Sequence, residues 1–135
     1  MTKETDLYII IAEDDLDDAE VIEQSFINNT SFIKVDLVKN GQELITFLKN
    51  KNQQIPDIIL TDINMPIMDG IEALKEISGD PLLRDIPSFV YSTSINPIYE
   101  AKCKELGIMG FLIKPYSLKA FDDIPKEIIS ILSKV

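Results

Sequence analysis

The chain contains no histidine. That absence excludes serine triads, histidine general bases and most zinc sites together, because each needs an imidazole. Cysteine is nearly absent as well. Cys103 stands alone, has nothing to pair with, and reads as a reduced intracellular thiol on a helix. Basic residues are outnumbered: 13 Lys and Arg face 23 Asp and Glu, giving a formal net charge of −10. Such a surface repels a phosphate backbone, and no basic stripe offsets it, so nucleic acid is not an expected partner. No apolar run approaches the length of a membrane span, and the N-terminus lacks a signal-peptide pattern. The expected location is cytoplasmic. There is no internal repeat, low-complexity segment or linker. With 135 residues, 45% of them hydrophobic, the chain has material for one domain with a full core but not two.

What is present is an alternation of apolar runs and amphipathic stretches. Strands are expected near 7–12, 33–38, 57–61, 87–91 and 109–113. Helices are expected near 16–28, 41–51, 70–78, 97–106 and 118–134. In the first helix Leu16, Ala19, Ile22 and Phe26 share one side. Strand–helix alternation repeated five times implies an α/β fold with a parallel sheet covered on both faces. Pro125 interrupts the last helix, since an interior proline removes a hydrogen bond and clashes. A short turn over 118–122 is expected there, followed by a helix capped by Asp123 with Pro125 in its first turn.

The chemistry is concentrated where strands end. The run Ile58-Ile59-Leu60 reads as a buried strand, and Asp62 follows at its carboxyl end. Ligands of open α/β sheets bind in the crevice outside those ends. A lone aspartate there is usually only a loop residue, but Asp62 is not alone. Glu13-Asp14-Asp15 follows the first apolar run, Leu7 to Ala12. If the two strands are adjacent, Glu13, Asp14 and Asp62 converge, and their repulsion calls for a hard divalent cation such as Mg²⁺. Asp15, Asp17 and Asp18 are accounted for by capping the first helix and by its dipole. Phe111-Leu112-Ile113-Lys114-Pro115 is a short strand ending in a lysine, a point charge suited to phosphate. Phe89-Val90-Tyr91-Ser92-Thr93-Ser94 is a strand running into hydroxyls.

These four sites together resemble the receiver domain of two-component response regulators, and the resemblance covers essentially the whole chain. The stretch Asp62-Ile63-Asn64-Met65-Pro66-Ile67-Met68-Asp69-Gly70 carries it most specifically. The intervals from Asp62 to Ser92 and from Ser92 to Lys114 also match the family's usual spacing. The resemblance implies a flavodoxin-like, doubly wound five-stranded parallel sheet. It implies that Asp62 accepts a phosphoryl group and that Glu13, Asp14, Asp62 and the backbone carbonyl of Asn64 hold Mg²⁺. Ser92 and Lys114 would contact the phosphoryl group. Phe111 would be the switch aromatic, and Pro115 a cis proline.

Further expectations follow from the resemblance. The donor is a histidine kinase, because the histidine must lie on another protein. The loop from Gly79 to Pro87, and Ser92-Thr93-Ser94, resemble stand-alone receivers associated with bacterial phytochromes, so the kinase is expected to be of phytochrome type. One receiver domain is expected over residues 1–135, without an output domain and without enzymatic turnover beyond its own phosphorylation and dephosphorylation. A homodimer through the last two helices and the fifth strand is expected, from the stripe Ile124, Ile128, Ile131 or Leu132, and Val135, beside Tyr99 and Tyr116. Two rival readings fit the residues less well. A pseudo-receiver normally loses an acidic residue or the lysine, and all are present. An aspartate-nucleophile phosphohydrolase needs a second aspartate where this chain has Asn64.

Overall fold

The computed structural model describes residues 5–93 and 96–134; Ser94 and Val135, both named above, lie outside them. The described chain alternates strands and helices: β1 (Leu7–Ala12), α1 (Leu16–Ile27), β2 (Phe32–Val38), α2 (Gly41–Lys49), β3 (Ile58–Asp62), α3 (Gly70–Ser78), β4 (Ser88–Ser92), α4 (Pro97–Glu105), β5 (Gly110–Ile113) and α5 (Asp123–Leu132). The strands form one parallel sheet in the order β2-β1-β3-β4-β5. The order reverses between β1 and β3, and such a switch point opens a crevice at the carboxyl ends of the strands.

Successive side chains of a strand point to opposite faces, so even an unbroken apolar strand serves two cores. Leu7, Ile9 and Ile11 of β1 join Leu60, Phe89, Tyr91 and Leu112 in a cluster closed by Ile22 and Phe26 of α1 and Ile124 and Ile128 of α5. Ile10 and Ala12 face the other way, with Ile59 and Val90, toward Leu44 of α2, Leu74 of α3 and Cys103 of α4. Both faces are therefore covered, which is why β1, β3 and β4 read as continuous hydrophobic runs.

Helix starts are fixed by short polar side chains. Asp15 accepts from the Asp18 amide at 2.9 Å, as expected for the cap of α1. Asp69 and Glu72 form a reciprocal capping box on α3. Gly70 has a separate reason to be glycine. A Cβ there would meet the carbonyl oxygen of Asp62 at 2.1 Å, so the start of α3 lies directly on the backbone of the phosphoacceptor candidate.

Three expectations need correction. Leu16 is not on the buried face of α1 but 74% exposed, because the helix begins at this residue and its core stripe starts one turn later. A short 3₁₀ turn over Lys119–Asp122 does precede α5, but Asp122, not Asp123, is its N-cap residue, and no side chain caps it. Pro125 is buried in the first turn, where its missing N–H leaves no intrahelical bond unmade. The peptide before Pro115 is trans: no cis bond occurs among the described residues. Just before it, the Lys114 amide donates to the Ser92 carbonyl at 2.7 Å and continues the pairing of β5 with β4.

The stripe on α5 is core. Ile124, Ile128 and Leu132 are buried, and Ile129 and Ile131 are partly buried against the same cluster. Exposed apolar surface lies instead on α4, at Ile98 and Tyr99, and along Ile113, Tyr116 and Leu118.

Candidate functional site

The carboxyl ends of β1 and β3 and the segment after β5 bring Glu13, Asp14, Asp62 and Lys114 into one pocket. β1 is prolonged by a bond from the Glu13 amide to the Val38 carbonyl, which holds the next residue at the sheet's edge. Asp14 is exposed, whereas Glu13 and Asp62 are buried. One oxygen from each of Glu13, Asp14 and Asp62 lies within 4.8 Å of the others.

Lys114 is the counter-ion. Its ammonium sits 2.7 Å from Glu13 Oε1, 2.9 Å from Asp62 Oδ2 and 3.2 Å from Asp18 Oδ2. Asp62 is further fixed through Oδ1, which accepts from the Ile63 amide at 2.7 Å. Glu13 Oε1 also accepts from the Tyr91 hydroxyl at 2.5 Å, and Oε2 accepts from the Asp15 amide at 3.2 Å. The Lys114 ammonium lies 4.8 Å from the centre of the Tyr91 ring.

One cation is thus shared among several carboxylates, and the electrostatics follow. Burial works against the charge on Lys114, but hydrogen bonds to Glu13 and Asp62 outweigh it and push its pKa above the ordinary value. Burial raises the Glu13 carboxyl; Lys114 and Tyr91 pull it back only in part, and the charge of Asp62 adds to the rise. The surplus of negative charge and the all-oxygen donor set fit a hard divalent ion.

The structure thus brings Glu13, Asp14, Asp62 and Lys114 together. Ser92 is buried at the end of β4 and is tied to Lys114 through its carbonyl. Asn64 lies in the exposed loop after β3. Phe111 is paired with Val90 in the sheet and packs, half-buried, against the apolar cluster on the α3 side rather than in the acidic pocket.

Two participants went unseen in the sequence. The helix dipole accounts for Asp18 in the sequence, yet its carboxylate also reaches Lys114, 96 residues away, which no local spacing signals. In the sequence Tyr91 is only part of a strand that runs into hydroxyls. A buried tyrosine in an apolar strand usually finds a partner for its hydroxyl, and that was the cue.

A family profile for the response regulator receiver domain matches residues 9–124. The chain belongs to that family. As a receiver it is similar to the response regulator Rcp1 of Synechocystis, with 30% identity over 115 residues, 82% of this chain and 78% of Rcp1. Among solved structures it resembles the phosphorylated cyanobacterial phytochrome response regulator RcpA, with 33% identity, a TM-score of 0.85 and 94% of each chain covered. It also resembles the Mn²⁺-bound form of Rcp1, with 30% identity, a TM-score of 0.80 and 96% of each chain covered. A receiver is a phosphoacceptor module of two-component signalling. No helix among the described residues is long and apolar enough to cross a membrane.

Proposed function

We propose that Asp62 takes a phosphoryl group from a phosphohistidine on a partner kinase. The observation that carries this reading is the placement of Asp62 at the end of β3. It is gripped by the Ile63 amide and the Lys114 ammonium, beside two further carboxylates. A carboxylate oxygen of Asp62 attacks phosphorus in line, the P–N bond to the donor histidine breaks, and the electron pair leaves with the imidazole. Such transfers need little covalent help, so positioning and charge neutralisation supply most of the catalysis.

Asp14 and Asp62, with Glu13 and the carbonyl of Asn64, are the residues that would hold Mg²⁺, which when bound neutralises charge between the nucleophile and the phosphoryl oxygens. Lys114 already bridges Asp62 and Glu13, and it takes a phosphoryl oxygen once Asp62 carries the acyl phosphate. Ser92 donates its hydroxyl to another and draws its loop inward. Phe111, held only half-buried, then rotates, and the surface of α4 and β5 changes with it.

The likeness to RcpA and Rcp1 supports a phytochrome-type kinase as donor. The contact offered to a second copy is the α4–β5 surface carrying Ile98, Tyr99 and Ile113, since α5 is committed to the core. Beryllofluoride, which mimics a phosphoaspartate, tests the assignment. It binds the wild type with Mg²⁺ and fails to bind Asp62→Asn; equal binding by both would remove Asp62 from the role.

A further inference from the structure

The hydroxyl of Tyr91 is a buried polar group with no part in the chemistry above. Its ring is fully buried in the apolar cluster with Leu60, Phe89 and Leu112. From β4 the phenol reaches past β3 to the residue that follows β1, and there it donates to Glu13 Oε1. Its pKa is pushed up, first by burial and then by the negative charge of Glu13, so it remains a neutral donor. The partner it has found is one of the three carboxylates grouped around the candidate cation site.

The two oxygens of Glu13 are used unequally. Oε1 takes both the Tyr91 hydroxyl and the Lys114 ammonium, at 2.5 and 2.7 Å. Oε2 takes one longer bond, from the Asp15 amide at 3.2 Å. A carboxylate without the phenol would be free to turn both oxygens toward the ammonium, its strongest partner.

We propose that Tyr91 is a positioning residue for the divalent cation: its hydroxyl commits Glu13 Oε1 to Lys114 and leaves Oε2 to the cation or to a water on it. This rests on the reading of Glu13, Asp14 and Asp62 as the metal site. Groups that orient a metal ligand without touching the metal commonly govern affinity by tenfold or more.

The test is a titration with Mn²⁺, followed by the loss of the free-ion electron paramagnetic resonance signal. Tyr91→Phe deletes one oxygen and keeps the ring that fills the core. It should bind Mn²⁺ about tenfold more weakly than the wild type. In a Glu13→Gln background the same change should have no further effect, which a merely structural role of the hydroxyl would not produce. Asp14→Ala should lose binding. Wild-type affinity in Tyr91→Phe, with binding lost in Asp14→Ala, overturns the inference and spares the metal site. A tenfold loss that persists in Glu13→Gln also overturns it, because the hydroxyl would then act elsewhere. Undiminished binding by Asp14→Ala removes the metal-site reading and the inference with it.

Discussion

The ammonium of Lys114 lies 2.9 Å from Oδ2 of Asp62, so the proposed phosphoacceptor is held by the cation that would contact a phosphoryl oxygen placed on it. Lys114 is the shared counter-ion of Asp62 and a fully buried Glu13 side chain. Removing one partner of a buried pair leaves uncompensated charge, at a cost of about 3 kcal/mol or more. Lys114→Ala should therefore lower metal-free stability by about 3 kcal/mol in urea unfolding. Mg²⁺ should restore more stability to the variant than it adds to the wild type. Asp62 should still accept phosphate, while amide exchange around Phe111 no longer responds to beryllofluoride. Equal stability of variant and wild type without metal would contradict the counter-ion role.

Neighbouring aspartates should separate cleanly. Asp14 belongs to the carboxylate trio, whereas Asp15 caps α1 through the Asp18 amide. Asp15→Ala should cost about 1 kcal/mol of stability and leave Mg²⁺ affinity near wild type. Asp14→Ala should do the reverse. Calorimetric titration and thermal melts read both, and the opposite order would place the acidic cluster out of register by one residue.

Ile67 stands beside the site with a φ of 68° and 82% exposure. A β-branched residue in the left-handed region is strained, and exposure offers little burial in return. Asn adopts that region readily. Ile67→Asn should stabilise the protein by about 1 kcal/mol in urea unfolding. A loss of stability would show that Ile67 makes a packing contribution larger than its strain.

Much of this was legible beforehand. β1 and β4 read as continuous apolar runs because both faces are covered, and Asp62 was placed by the strand that delivers it. Other features depend on what lies opposite. The stripe Ile124, Ile128 and Leu132 has helical period whether it faces the sheet or a partner, and periodicity alone cannot choose. The bond between Tyr91 and Glu13 spans 78 residues and two strand neighbours, so only the sheet order reveals it. Asp18 sits among residues whose capping role is sufficient by itself, which hid its second contact with Lys114.

Alkaline pH should weaken the fold, and Tyr8 carries part of that effect. Its hydroxyl donates to Asp36 Oδ2 at 2.6 Å, and burial, followed by that bond and the Asp36 charge, raises its pKa above the ordinary 10.0. The unfolded chain then releases this proton at a lower pH than the native state. The stabilisation is complete below about pH 10 and is lost as pH rises toward the folded value. Tyr91 and Lys114 are raised as well and act in the same direction. Tyr8→Phe should lose less stability than wild type between about pH 8 and about pH 11 in urea unfolding. Parallel losses would show that Tyr8 titrates alike in both states.

Asp62 is the proposed phosphoacceptor, and every other role at the site depends on it. Its most direct test is labelling with acetyl phosphate and Mg²⁺, followed by quantifying acid-labile phosphate on wild type and Asp62→Asn. Wild type should take up one phosphoryl group per chain, and Asp62→Asn none. Undiminished labelling of Asp62→Asn would contradict the account.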